Sequence, residues 1–132
     1  MKRLIRRTIT SAAVLAAATA GLVGLPGTAQ AAAYNGACGP GYSILQGASV
    51  WGGSVYLLYN GSTDCVVTVR NTPGAYYSMR ATVGLTGGQQ YTNAGNFTSY
   101  AGPVYVYAPG QCINWSGEIN HSAAGYSDVH CG

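Results

Sequence analysis

Charged side chains are scarce in this chain once its first 31 residues are set aside. Five remain, and they are Asp64, Arg70, Arg80, Glu118 and Asp128. The formal net charge of the whole chain is +3, but four of its six basic residues precede position 8. The rest has two arginines against three acids, a charge of −1 with both histidines neutral. Because like charges keep secreted proteins dispersed, so neutral a surface favours adhesion over free diffusion.

The shortage of basic residues also excludes a nucleic-acid partner. Phosphate contacts from several lysines or arginines dominate such binding, and two arginines cannot supply them. Glycine-rich phosphate loops are missing as well, since Gly52-Gly53 and Gly87-Gly88 are typical of turns with no helix behind them.

The first 31 residues have the three parts of a secretory signal. A basic start precedes an apolar run over residues 12–25, and small residues follow at Ala29-Gln30-Ala31. The run is shorter than the roughly 20 residues of a membrane span, and no second run follows. We therefore expect a secreted, extracellular protein without a transmembrane segment, in which residues 1–31 are the signal peptide and residues 32–132 form a single domain.

All four cysteines lie after residue 31, and none stands in a Cys-x-x-Cys spacing. In an exported chain this predicts two disulfides rather than a zinc site. We favour Cys38–Cys65 with Cys112–Cys131, which closes a hairpin-sized loop at each end of the domain. The pairing Cys38–Cys131 with Cys65–Cys112 stays open.

Helical periodicity is absent after residue 31, and short β-branched and aromatic runs recur between turn residues instead. This pattern predicts an all-β fold, a small antiparallel β-sandwich or barrel with two disulfides. The predicted strands are Ser54–Tyr59, Cys65–Arg70, Tyr76–Val83, Gln89–Thr92, Phe97–Tyr100, Val104–Tyr107, Cys112–Ile119 and Tyr126–Cys131.

The strand Cys65–Arg70 alternates cleanly, and we expect Cys65, Val67 and Val69 to form its core face. A type II turn is predicted at Thr72-Pro73-Gly74, so that Tyr76–Val83 returns antiparallel to this strand. Residues Asn120–Gly125 are predicted to form a polar loop.

Catalytic patterns are weak, and we expect no catalytic residues, no metal site and no cofactor. Asp128 and His130 are two apart and would share a strand face, but no Gly-x-Ser-x-Gly elbow accompanies them. Glu118 and one of the aspartates could act as the two carboxylates of a glycoside hydrolase, but only if the distance between them suits that reaction. The sequence does not give this distance. A metal would need three convergent ligands, for which His121 joins Asp128 and His130 as the only candidates.

Aromatic residues are the better candidates for function. The chain has eleven tyrosines and two tryptophans, more than the core of a domain of this size needs. Exposed rings bind sugars or other proteins well, because tyrosine offers a large rigid face with one polar group. The candidate exposed aromatics are Tyr56, Tyr59, Tyr105, Tyr107 and Trp115.

Several longer motifs resemble a known family. A Tyr-Asn-Gly-Ala-Cys-Gly run begins at Tyr34, and Cys65 opens Cys-Val-Val-Thr-Val-Arg-Asn-Thr. Tyr100 opens Tyr-Ala-Gly-Pro-Val-Tyr-Val-Tyr, and Cys112-x-x-Trp-x-Gly precedes a Cys131-Gly132 end. Together these are similar to the spore-associated protein A family of streptomycetes and related actinomycetes. The resemblance covers nearly all of residues 32–132. It implies an association with spores and aerial growth, and it supplies no catalytic residues.

These observations predict a non-enzymatic structural protein associated with the spore or cell surface. Its expected partners are spore or cell-wall components, with self-association as a further option. The alternative is a secreted carbohydrate- or protein-binding module, which includes a hydrolase inhibitor. A small hydrolase that uses His130 or Glu118 is the third hypothesis.

Overall fold

A computed structural model describes residues 32–132, which form eight β-strands. In chain order they are β1 Ser43–Val50, β2 Gly53–Tyr59, β3 Thr63–Arg70, β4 Tyr77–Leu85, β5 Gln90–Phe97, β6 Tyr100–Tyr107, β7 Ile113–Ile119 and β8 Ser122–Val129. The all-β prediction is confirmed. Within this part of the chain nothing has the length and hydropathy of a membrane-spanning helix. The signal peptide predicted for residues 1–31 lies outside the described residues.

Two antiparallel sheets of four strands make a sandwich. Sheet 1 has the order β1-β2-β3-β6, and sheet 2 has the order β5-β4-β7-β8. Inward-facing side chains of both sheets form the main core, including Val55, Leu57, Val66, Met79, Val83, Trp115 and Ile119. The hydroxyl of the buried Thr68 donates to the carbonyl oxygen of Arg80 at 2.8 Å, so a hydrogen bond also joins the sheets.

Strand β3 is buried on both faces. Val66 faces the main core, whereas Cys65, Val67 and Val69 face a second cluster. The prediction that the Cys65 face is a core face is confirmed, but the opposite face is buried as well and lines the main core. The cover of the Cys65 face is the N-terminal segment, residues 32–42, which packs on the outer face of sheet 1.

Both predicted disulfides are present. Cys38–Cys65 ties the N-terminal segment to β3, and Cys112–Cys131 joins the start of β7 to the residues after β8. The alternative pairing is thereby excluded. Each bond closes a loop at one end of the domain sequence, as predicted.

The predicted hairpin of Tyr76–Val83 with Cys65–Arg70 is wrong. Strand β3 already has β2 and β6 as neighbours, so β4 crosses to sheet 2 and pairs with β5 and β7. The predicted type II turn is wrong as well, because Gly74 lacks the positive φ that such a turn needs.

Strand boundaries differ at three places. β1 was not predicted, because its residues are mostly exposed and lack a β-branched run. The predicted strand Gln89–Thr92 falls mainly within β5. The predicted strand Phe97–Tyr100 is not a strand, because β5 ends at Phe97 and β6 begins at Tyr100. The predicted loop Asn120–Gly125 belongs largely to β8, because the chain reverses at Asn120 and His121, both with positive φ.

Candidate functional site

Strand β6 carries a row of exposed tyrosines on the outer face of sheet 1. Cross-strand partners point to the same face, and Tyr100, Tyr105 and Tyr107 pair with Val69, Cys65 and Thr63 of β3. The three rings are 42%, 41% and 68% exposed. We call them the β6 tyrosine row. Because β6 is an edge strand with only β3 as a neighbour, the row lies at the border of the sheet.

A β-bulge aligns the row. The register of β3 and β6 shifts between Val66 and Thr68, so that Gly102 and Pro103 together oppose one residue, Val67. An unbroken strand would place residues 100 and 105 on opposite faces. The extra residue reverses this alternation and brings Tyr100 to the same face as Tyr105.

The middle of the row is held by the N-terminal segment. The Tyr105 hydroxyl donates to the carbonyl oxygen of Cys38 at 3.1 Å. The Tyr42 ring packs against the Tyr105 ring, with 5.9 Å between the centroids. Burial is the main cause that raises the pKa of the Tyr42 hydroxyl, with smaller contributions from Tyr105 and Asp64. The hydrogen bond to Cys38 and the contact with the Tyr42 ring together hold the Tyr105 ring in one orientation.

Little free charge accompanies the row. Arg80 and Glu118 approach each other at 3.9 Å on sheet 2, and His121 lies 3.7 Å from Glu118. Arg70 donates to the carbonyl oxygens of Ala75 and Thr98, the latter at 2.9 Å. The β6 tyrosine row thus offers rings and hydroxyls, and its contacts have little ionic character.

Two of the five predicted aromatics are only partly exposed. Tyr56 lies under the N-terminal segment, where its hydroxyl donates to the carbonyl oxygen of Ala32 and its ring meets Tyr34 edge-on at 6.1 Å. Tyr59 lies on the inner face of β2 and lines a cleft at one end of the sandwich. Neither belongs to the row, so only Tyr105 and Tyr107 of the predicted set come together.

Trp115 is not an exposed aromatic, and that prediction is wrong. Its side chain is 1% exposed in the main core, where β7 places it between the sheets. Tyr126 of β8 packs on it at 5.4 Å. The tryptophan has a structural role, because Ile113, Trp115 and Gly117 share the inner face of β7. This alternation of inward and outward residues is visible in the sequence.

A second aromatic cluster lies at the start of β2. The Trp51 ring meets the Tyr77 ring edge-on at 5.1 Å, and the Arg70 guanidinium lies 4.5 Å from the centroid of Tyr77. Trp51 is exposed, whereas Arg70 and Tyr77 are half-buried. Because the guanidinium is held by carbonyl oxygens as well, this cluster serves to fix the connection from β3 to β4.

The Asp128 and His130 side chains do not share a strand face. Both residues have positive φ, and β8 ends at Val129, so the alternation that the prediction assumed does not hold. His130 Nε2 lies 3.1 Å from Gln46 Oε1, and the described residues contain no ion pair between Asp128 and His130.

Among residues 32–132, one set of potential metal ligands converges, but it cannot bind a metal ion. Cys112, Cys131 and Asp128 offer atoms within 4.8 Å of one another. Both sulfurs are bonded to each other in the disulfide, which leaves no thiolate to bind an ion.

Sequence reasoning missed Asp64 as a site residue. This aspartate is 3% exposed, on the inner face of β3, and it lines the same cleft as Tyr59 and His130. Burial raises the pKa of its carboxyl group from 3.8 to about 6. The only signal in the sequence was its place in the apolar strand Thr63–Arg70, next to a half-cystine.

The described residues define a disulfide-bonded β-sandwich with a tyrosine row on one outer face and few charges near it. No protein-family model and no solved structure matches the chain. Spore-associated protein A of Streptomyces coelicolor is 39% identical over 128 residues, a match that covers 94% of this chain and 78% of that protein. The chain belongs to the spore-associated protein A family.

Proposed function

We propose that this protein is an exported, non-enzymatic surface protein that the β6 tyrosine row holds on the spore or cell wall. The observation that carries the proposal is the alignment of Tyr100, Tyr105 and Tyr107 on one outer face. The three rings lie along one edge strand and face the same side, so that one partner surface can contact all of them. The association with spores is supported by the name of the relative in Streptomyces coelicolor.

The physical basis is apolar and aromatic contact rather than ion pairing. A tyrosine ring buries a large area at a small cost in side-chain entropy, and its hydroxyl keeps a hydrogen bond available. Residues 32–132 carry only five charged side chains, of which Asp64 is buried and Arg80 is paired with Glu118. Repulsion between neighbouring copies or from a charged wall is therefore weak.

Export is supported by two independent features. Residues 1–31 have the composition of a secretory signal. The two disulfides fit an oxidising, extracellular environment, because cytosolic proteins keep their thiols reduced. The described domain gives no support to the hydrolase hypothesis, since His130 contacts Gln46 rather than Asp128.

The elution behaviour of the bound protein tests this proposal. Spores or cell walls loaded with the purified protein are washed with high salt and then with mild detergent or denaturant. We expect salt to release little, because screening acts on ion pairs and not on aromatic contacts. Detergent or denaturant should release most of the protein. Complete release by salt alone would contradict an aromatic mode of retention.

The same row also favours the alternative of a carbohydrate-binding module, because aligned rings on one sheet face can stack on successive sugars. Retention on insoluble chitin, cellulose or peptidoglycan distinguishes the two. Binding to a pure polysaccharide that is lost in Tyr100→Ser with Tyr107→Ser would identify the sugar as the partner. Binding to spores but to none of these polymers would favour a protein partner.

A further inference from the structure

A cleft opens at the end of the sandwich where β2 ends and β3 begins. Its volume is about 210 Å³. The lining comes from sheet 1 and from the connections that follow β6 and β8, and it includes Leu45, Tyr59, Asp64, Ala108, Gly110 and His130. No member of the β6 tyrosine row lines it, so the cleft is a separate feature of the molecule.

Asp64 is the only acid in this lining, and its carboxyl group is unpartnered within the described residues. The residue is 3% exposed, yet no described residue donates a hydrogen bond to its carboxylate, and it forms no ion pair there. A carboxylate that is largely removed from water and receives no hydrogen bond costs free energy, so a donor that enters through the cleft would stabilise it. The cleft is the side from which such a partner can reach it.

Apart from Asp64 and His130, the side chains of the lining carry no charge, and Gly132 also lines the cleft. Leu45 and Ala108 are aliphatic, and Tyr59 offers a ring. His130 is anchored from outside the cleft by Gln46, at 3.1 Å from its Nε2 atom. Residues 32–132 contain no lysine, because the single lysine of the chain is Lys2. No lysine of the domain can therefore pair with Asp64.

We propose that this cleft binds a small primary amine, whose ammonium group pairs with the Asp64 carboxylate while its short apolar body packs against Leu45, Tyr59 and Ala108. The volume is below the roughly 300 Å³ at which sites for drug-sized ligands begin, so the ligand has few heavy atoms. This inference goes beyond retention on a surface and does not depend on it.

The chemistry of the lining selects a cation. An anion would meet the Asp64 charge with no arginine or lysine in the lining to offset it. A neutral alcohol would donate one hydrogen bond, whereas an ammonium group adds a charge-assisted bond to a carboxylate that is itself largely buried. The amine should therefore bind more tightly than the alcohol of the same length.

The test is a titration of the amide chemical shifts of the purified domain with n-butylammonium, n-butanol and butyrate. We expect saturable shifts around residues 59, 64, 108 and 130 with the amine at millimolar concentrations. Affinity for the alcohol should be lower by about tenfold, and butyrate should not bind. Asp64→Asn should weaken amine binding by at least about tenfold while its spectrum stays that of a folded domain.

The pH dependence gives a second readout. Amine binding should weaken as the pH falls through about 6, because the proton that Asp64 gains removes its charge. His130 also lines the cleft, so a His130→Asn variant separates the two groups and should keep the effect. Tyr42 and Tyr59 are the other titratable neighbours, and burial raises the pKa of the Tyr42 hydroxyl above its ordinary value.

Three results would overturn the proposal. They are equal affinity for the amine and the alcohol, unchanged amine binding in Asp64→Asn, and the absence of saturable shifts in the wild-type domain. None of them bears on retention by the β6 tyrosine row.

Discussion

The carboxyl group of Asp64 is held in a place where its charged form is poorly solvated. It lies on the inner face of β3, beside Val66 of the main core, and it is 3% exposed. Burial raises its pKa to about 6, from 3.8. The folded protein therefore binds a proton that the unfolded chain has already lost between these two values.

Replacing Asp64 with asparagine should stabilise the protein at neutral pH. The folded-state pKa is the higher one, so the contribution of Asp64 to the free energy of unfolding is greatest below about pH 4. It then falls as the pH rises through about 6, by about 2–3 kcal/mol in total. Asp64→Asn should remove this decline and gain stability at neutral pH. Urea unfolding at a series of pH values measures both.

The exposed Asp128 provides the matched control. Asp128→Asn keeps a residue type that tolerates positive φ, and it leaves Asp64 in place, so the decline above about pH 4 should persist. If the free energy of unfolding of Asp64→Asn still declined with pH as in the wild-type protein, the decline would not come from burial of the Asp64 charge.

At the scale of the strands, the bulge in β6 decides which tyrosines stand together. Gly102 has a φ of 96°, and a Cβ atom there would lie 2.8 Å from the carbonyl oxygen of Val66. Only glycine fits both the backbone conformation and the close approach to β3. The bulge also receives support from β5, because the Gly102 amide donates to Asn93 Oδ1 at 2.8 Å.

Gly102→Ala should destabilise the domain by about 2 kcal/mol or more, because positive φ and a backbone clash act together. Gly87→Ala is the control, since Gly87 also has positive φ but nothing within 4 Å of an added Cβ atom. It should cost only about 1 kcal/mol. Chemical unfolding measures both, and equal losses would show that the contact with Val66 has no effect.

The N-terminal segment is the other element whose position matters. It covers Leu58 and Val67 on the outer face of sheet 1, and Cys38–Cys65 is its covalent tie. The two disulfides span 27 and 19 residues. The chain-entropy model predicts that each disulfide stabilises the folded protein by about 3 kcal/mol. Loop length alone therefore gives the two disulfides similar effects on stability.

Removing the first disulfide should therefore cost more than removing the second. The double variant Cys38→Ala with Cys65→Ala loses the loop constraint and also loosens the cover over the second cluster. Cys112→Ala with Cys131→Ala loses the constraint alone. Urea unfolding should separate the two variants, and limited proteolysis should cut the first variant within residues 32–42. Similar stability and similar protection of that segment would contradict the role of the cover.

The sequence predicted the class of fold and both disulfides, but it did not predict how the sheets assemble. Strong strands such as Cys65–Arg70 and Cys112–Ile119 were recognisable from their alternation. Alternation could not tell which face of β3 meets the main core, because the N-terminal segment buries the other face. The exposed edge strand β1 has no apolar stripe to reveal it.

The candidate site was predictable only in part, for similar reasons. Tyr105 and Tyr107 alternate with Val104 and Val106, so their shared exposure follows from the sequence. The place of Tyr100 in the same row depends on the bulge, which adds one residue that periodicity cannot locate. Tryptophan is a residue type common in binding sites, and only the packing of the two sheets identifies Trp115 as a core residue.

For the molecule as a whole, the central claim is that retention depends on where the exposed tyrosines lie and not on how many there are. Tyr76 and Tyr91 are exposed like Tyr100 and Tyr107, but Tyr76 precedes β4 and Tyr91 lies on β5, so neither belongs to the β6 tyrosine row. They provide a control with the same composition and net charge. None of the four rings makes a hydrogen bond among the described contacts that substitution would break.

Binding of purified protein to isolated spores or cell walls, measured as an isotherm for two double variants, tests this claim most directly. Tyr100→Ser with Tyr107→Ser should weaken retention by about tenfold or more, since each buried ring contributes on the order of 1 kcal/mol or more. Tyr76→Ser with Tyr91→Ser should bind like the wild-type protein. Equal losses in both variants, or no loss in the first, would contradict the account.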